Sequence, residues 1–314
     1  MNQQRQQRVF VAGATGVLGR RAVPRLVAAG FEVTGLARSD EKAEQLRSQG
    51  ASPVIVDLFD AAAVKEAVAG HDLVCNLATH IPTAARGVLP GGAWKENDRI
   101  RTEGAANLAD AAIAAGAARF VQESITFVYP DRGDAWITED EVVEETPYTA
   151  SVKAAQASAE RVTAAGAAGV VLRFGIFYSA DSHSTRDMAR AVARGLLALP
   201  GAPDAFASFI SVDDAASAVV AALDPSVPAG VYNVVDDEPL TRTDLAAALS
   251  SALGRRVRTL PTPLTAAGGQ KVAALARSQR VSNARFKAVA AWTPAVSARV
   301  GIPAVIEEVR GGRR

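Results

Sequence analysis

The chain has 314 residues, a single cysteine and a net charge of +1, with 34 basic and 33 acidic side chains. That length carries one large domain or two modest ones, and the balanced charge asks for neither nucleic acid nor an anionic membrane as partner. Cys75 alone excludes an intramolecular disulfide, the three dispersed histidines have no metal-ligand spacing, no apolar run approaches the roughly 20 residues of a membrane span, and the polar start MNQQRQQ has no secretory apolar region. The expectation is a cytoplasmic protein with a small-molecule substrate and no metal, compatible with a homodimer.

In chain order, RVFVAG (8–13) reads as a strand, being short, β-branched and ended by glycine. GVLGRRAVPRLVAAG (16–30) reads as a helix closed by Gly30, which Pro24 should kink by removing one amide donor. FEVTGLAR and DEKAEQLRSQG form the next strand and helix. SPVIVDL and DAAAVKEAVAG form the third pair, and DLVCNLA is a fourth strand, with Cys75 as a buried, inert thiol. NDRIRTEGAANLADAAIAAG is a long helix, ARFVQESI a fifth strand, ASVKAAQASAERVTAAG a helix and GVVLRFGIF a further strand. Strands separated by helical crossovers mean a parallel sheet covered on both faces, hence an α/β doubly wound, Rossmann-type fold. After residue 175 the rhythm loosens. The polar loop SADSHSTRD, the helix within STRDMARAVARGLLALPG, VDDAASAVVAALDP, GVYNVVD and the Thr-capped TRTDLAAALSSALG suggest a smaller C-terminal α/β lobe. The expected division is residues 1–175 for the dinucleotide and 176–314 for a substrate lobe interleaved with the sheet.

The stretch VFVAGATGVLGR sets Gly13, Gly16 and Gly19 at G-x-x-G-x-x-G between the first strand and the first helix. Gly13 permits a tight turn, Gly16 lets backbone approach a pyrophosphate and Gly19 allows close helix–sheet packing. Thr15, Val17 and Leu18 complete a loop whose amides and helix dipole face the phosphates.

In this form, GATGVLG resembles the extended short-chain dehydrogenase/reductase superfamily, the group that includes sugar-nucleotide epimerases and dehydratases, and the resemblance covers most of the chain. It implies that Asp57 and Leu58 of VDL contact the adenine. It also implies that NLAT, with Leu77, Ala78 and Thr79, lines the cofactor. VVLRFGIFY then leads to the nicotinamide-side loop, and FISVDDAASAVVAAL and GVYNVVDDEPLT belong to the substrate lobe. The second strand ends without the acid that binds a ribose 2′-hydroxyl; Arg38 and Ser39 follow directly, with Lys42 one turn on. A guanidinium there suits a 2′-phosphate, so NADP is expected ahead of NAD.

The superfamily's chemistry uses a Tyr, a Lys four residues later on the same helix face, and a Ser or Thr near the end of the fifth strand. Here Tyr148 and Lys153 are five apart. Five helical residues turn about 500°, so the two diverge by about 140° unless Tyr148 lies before the helix. In the other register, counted back from Glu160, Gln156 and Val152 occupy the Lys and Tyr positions. In ESITFVY the Ser position falls on Ile125, flanked by Ser124 and Thr126, which share a face if the strand is extended. The expected catalytic set is Ser124, Thr126, Tyr148 and Lys153. His80, Tyr129 and His183 are candidates for the substrate side, and Arg99 and Arg101 for an anionic group on it. Glu123 lies near the active strand's end, Arg173 is structural, and His71 lies in a surface loop. These residues suggest an NADP-dependent oxidoreductase acting on a carbonyl or alcohol. The alternatives are a nucleotide-sugar epimerase or dehydratase holding NAD tightly, and a dinucleotide-binding sensor without turnover.

Overall fold

The computed structural model describes residues 5–82, 92–144, 146, 149–193, 198–259 and 269–311. Its centre is a seven-stranded sheet: β1 (Arg8–Ala12), β2 (Glu32–Ala37), β3 (Ser52–Ile55), β4 (Leu73–Asn76), β5 (Arg119–Ile125), β6 (Ala168–Phe174) and β7 (Gly230–Val234). The spatial order is β7-β6-β5-β4-β1-β2-β3 and every pairing is parallel. The order reverses between β1 and β4, so a crevice opens at their carboxyl ends.

The two-residue period of the strands feeds two separate layers. Val9 and Val11 of β1, with Leu73 and Cys75 of β4, pack on α1 (Gly19–Ala28), α2 (Asp40–Ser48) and the helix Val212–Ala221. The alternate residues Phe10, Ala12 and Val74 pack on α3 (Ala61–Val68) and on the helices Ala105–Ala115 and Ala150–Ala164. Cys75 is fully buried and its thiol is pushed up to about 12 by burial, as an inert core thiol requires.

The C-terminal segment supplies β7 to the main sheet. Phe286 and Trp292 pack in the same core as β1. A second core lies between the helices Arg242–Leu253 and Ala298–Gly311, around Tyr178, Leu249, Ile302 and Ile306. The first of these helices starts with a reciprocal Thr241–Asp244 capping box.

Pro24 lies inside α1, where the sequence places it. The carbonyl it leaves without its helical amide, that of Arg20, accepts from Gln49 Nε2 at 3.2 Å, so the lost bond is replaced from just past the end of α2. His71 is buried, not a surface residue. Its Nδ1 lies 3.0 Å from the Val68 carbonyl and its Nε2 2.8 Å from Thr34 Oγ1, with Phe10 edge-on to the ring.

Burial lowers the His71 pKa below its ordinary 6.5, outweighing the Val68 carbonyl bond that favours the cation. A histidine depressed in the folded state is neutral in both states above that ordinary value, and below it the unfolded chain takes up the proton first. Stability contributed by His71 is therefore present at neutral pH and lost as pH falls from about 6.5 toward the lower folded value. Denaturant unfolding of wild type and His71→Gln across this range should show a shallower acid loss in the variant.

Candidate dinucleotide and substrate site

The glycine loop is held by backbone contacts that leave no room for side chains. Gly13 has φ +75°, and a Cβ there would come within 2.5 Å of the Leu77 backbone. A Cβ at Gly19 would overlap the Gly13 carbonyl oxygen, so the close approach that Gly19 permits is to the loop itself and not to the sheet. Gly16 is different: it is exposed, and a Cβ there would meet only the Gly13 oxygen, at 3.2 Å. Thr15 and Val17 are half-buried, while Leu18 is buried and precedes α1 without any side-chain cap bond. An exposed glycine beside an uncapped helix N-terminus suits the pyrophosphate of a dinucleotide.

On the adenosine side, Arg38 follows β2 with its side chain 74% exposed and lies 3.5 Å from Glu96. Asp57 is exposed and accepts the Phe59 amide at 3.0 Å; the Leu58 carbonyl accepts from Asn107. Leu77 is buried with its amide on the Ala12 carbonyl, and the Ala78 amide donates to Asn76 Oδ1. Thr79 and His80 are exposed at the crevice, and the His80 amide donates to the buried Asn97.

The far side of the crevice is a buried polar chain. Ser124 on β5 pairs in register with Arg173 on β6. Gln156, on α6 (Ala150–Ala164), donates from Nε2 to Ser124 Oγ at 2.6 Å. Arg173 donates to Gln156 Oε1 and to Tyr129 Oη, each at 2.8 Å, and the Tyr129 hydroxyl donates to Asn233 at 2.8 Å. Burial raises the Tyr129 pKa, with Arg173 opposing it. Tyr129 is fully buried with its hydroxyl engaged on both sides, which takes it out of the substrate role expected for it.

The catalytic candidates are not all brought together. Strand β5 stops at Ile125 and Thr126 opens a 3₁₀ turn, so alternation does not carry from Ser124 to Thr126, which is buried. Val152 is buried beside Val128, Tyr129 and Ile137. Lys153 lies on the exposed face of α6, and Gln156 occupies the inward position beside Ser124. Tyr148 lies outside the described residues. His183 is exposed at the start of the helix His183–Ala193, not in a polar loop.

Sequence reasoning missed one buried pair. The helix before β5 runs as α4 (Lys95–Arg99), a π-helical turn (Ile100–Gly104) and α5 (Ala105–Ala115). Arg101 in that turn is 2% exposed, and its Nη2 lies 3.2 Å from both oxygens of Glu123 on β5. It is thus bound within the protein and not offered to a substrate anion; Arg99 pairs with Glu103 and stacks on Phe59. The available signal was Glu123 itself, since a carboxylate in a strand buried on both faces demands a cation.

A parallel α/β sheet with a glycine cradle at its reversal point defines a dinucleotide-binding enzyme of the Rossmann class. More narrowly, the chain belongs to the NAD dependent epimerase/dehydratase family, whose model matches residues 9–234, and it is an NAD(P)-dependent enzyme of the extended short-chain dehydrogenase/reductase type. It is 35% identical over 298 residues to a Streptomyces 3-diazoavenalumate denitrifying reductase, covering 91% of this chain and 96% of that protein. The fold matches UDP-glucose 4-epimerase from Thermotoga maritima, solved with UDP-glucose, at a TM-score of 0.79 and 18% identity over 98% of this chain and 100% of that one. It also matches a human epimerase family protein solved with NADPH, at a TM-score of 0.76 and 23% identity over 97% and 99% of the two chains. No helix among the described residues is long and apolar enough to cross a membrane.

Two outcomes follow from the geometry. Gly16→Val should leave the fold intact and weaken cofactor binding at least about tenfold, or about 1.4 kcal/mol, by calorimetric titration. Glu123→Ala should cost about 3–5 kcal/mol in denaturant unfolding by stranding the buried Arg101, whereas Arg101→Met with Glu123→Leu should recover most of that loss.

Proposed function

We propose that this enzyme is an NADP-dependent reductase that delivers hydride to a small-molecule electrophile, and that a diazo carbon is the acceptor its site suits best. One observation carries the reading: the face of α6 toward Ser124 presents Val152 and Gln156, neither of which titrates. An epimerase must take an alcohol proton and return it, and so needs a base and acid in place. Replacement of a diazonium nitrogen by hydride needs neither, since R–N2+ + H− gives R–H + N2 with no proton consumed. The similarity to a denitrifying reductase acting on a diazo compound supports the same choice.

The cofactor supplies the hydride. In this reading the glycine loop and the start of α1 hold the pyrophosphate, Arg38 grips the 2′-phosphate, and Leu58, Leu77, Ala78 and Thr79 flank the adenosine half. The Ser124–Gln156–Arg173 chain keeps the carboxyl edge of β5 and β6 rigid beside the reacting carbon. Tyr148 serves as proton donor only when the acceptor is a carbonyl, with residues 176–314 shaping the substrate side.

The test supplies NADPH deuterated at the transferable position, with an aryl diazonium salt and, separately, a panel of carbonyl compounds. Enzyme-dependent NADPH consumption with deuterium on the former diazo carbon is expected. Tyr148→Phe should leave that rate within about twofold but cut any carbonyl reduction about 100-fold. Copurifying NAD together with epimerisation of a nucleotide sugar would sink the proposal.

A further inference from the structure

Arg38 and His80 stand on opposite sides of the glycine loop. Strands β2 and β4 both pair with β1, Arg38 is the first residue past β2, and His80 follows β4 by four residues. The carboxylate of Glu96 reaches both. Its Oε1 lies 3.5 Å from Arg38 Nη1 and its Oε2 3.7 Å from His80 Nε2. Glu96 sits in the first turn of α4 beside Asn97, which is fully buried and accepts the His80 amide. The carboxylate is therefore carried on an anchored helix, while the guanidinium it meets is on an exposed side chain. Together the three side chains bridge the crevice over the strand from which the phosphate loop departs.

We propose that Glu96 is a specificity-determining residue for the cofactor. Its carboxylate lies against the Arg38 guanidinium, at the place a ribose 2′-phosphate would take, and the phosphate must displace it. This rests on the reading that Arg38 receives that phosphate. Two effects act in the same direction. The Arg38–Glu96 pair has to break, and the remaining carboxylate repels the arriving dianion. Both are modest for exposed groups in water. A ribose without the phosphate brings no charge to exchange, so NAD binds with the bridge in place. The physical alternative has the opposite sign: a carboxylate over a ribose diol accepts its hydroxyl hydrogens, which would make Glu96 the acid that β2 lacks.

The experiment is calorimetric titration of NADPH and NADH into the full-length wild type, Glu96→Gln, Arg38→Ala and the double variant. Glu96→Gln is expected to tighten NADPH about three- to tenfold, to leave NADH within about twofold, and to lose its effect when Arg38 is absent. Arg38→Ala alone is expected to weaken NADPH about tenfold. The proposal is overturned, with the role of Arg38 intact, if Glu96→Gln weakens NADH, tightens both cofactors equally, changes neither, or tightens NADPH just as much without Arg38. If Arg38→Ala leaves NADPH affinity unchanged, the phosphate is held elsewhere, and the role of Arg38 and the competition for it both fall.

Discussion

The crevice depends on one backbone approach, that of Gly19 to the Gly13 carbonyl. Any Cβ at Gly19 overlaps that oxygen, and any Cβ at Gly13 strikes the Leu77 backbone. These two exclusions press the loop after β1 against the start of α1 on one side and the end of β4 on the other. The helix N-terminus then stands at the strand reversal with its cap position filled by Leu18, which offers no side-chain acceptor. The Arg20 and Arg21 amides, which a serine or aspartate at the cap would take, donate instead to the Gly16 and Leu18 carbonyls.

A second constraint is the burial of charge beneath the carboxyl edge. Arg173 and Arg101 are both nearly inaccessible, and they are handled differently. Arg101 meets a carboxylate, Glu123. The Arg173 bonds to Tyr129 and Gln156 are both to neutral oxygens. Gln156 has one acceptor and one donor end, and it uses both, toward Arg173 and toward Ser124. A carboxylate at 156 would neutralise the guanidinium but could donate nothing to Ser124 while ionised. The amide thus sets the direction of the whole chain from Arg173 to Ser124.

The fold was legible because the signals were redundant. Short β-branched runs, closing glycines and helical crossovers all pointed to one parallel sheet, and strand alternation then divided Val9 and Val11 from Phe10 and Ala12. The glycine loop was legible for the same reason, since its spacing and its place between strand and helix agree. What was not legible depends on contacts between residues far apart in sequence. The carbonyl that Pro24 leaves without its helical amide is met by Gln49, just past the end of α2. His71 looked like a surface residue because its partner Thr34 lies far away in sequence, on β2. Arg101 was read as a candidate for a substrate's anionic group because nothing local marks the π-helical turn that carries it inward.

Helix α6 shows how little separates the two readings of the same residues. Lys153 and Gln156 differ by three positions, hence by about 300°, or about 60° of helix face. That rotation is enough to leave one side chain exposed and to bury the other against Ser124. Pairing Tyr148 with Lys153 required the lysine to face the strand end, but the position four residues before Gln156 on that inward stripe is Val152, within an apolar cluster. Turning the helix to bring Lys153 inward would withdraw Gln156 from Arg173, leaving a buried guanidinium without that acceptor, and would expose the fully buried Val152. Both changes cost free energy in the same direction. The register is thus fixed by packing and by Arg173, and whatever chemistry the crevice performs must be compatible with an amide, not an ammonium, beside Ser124.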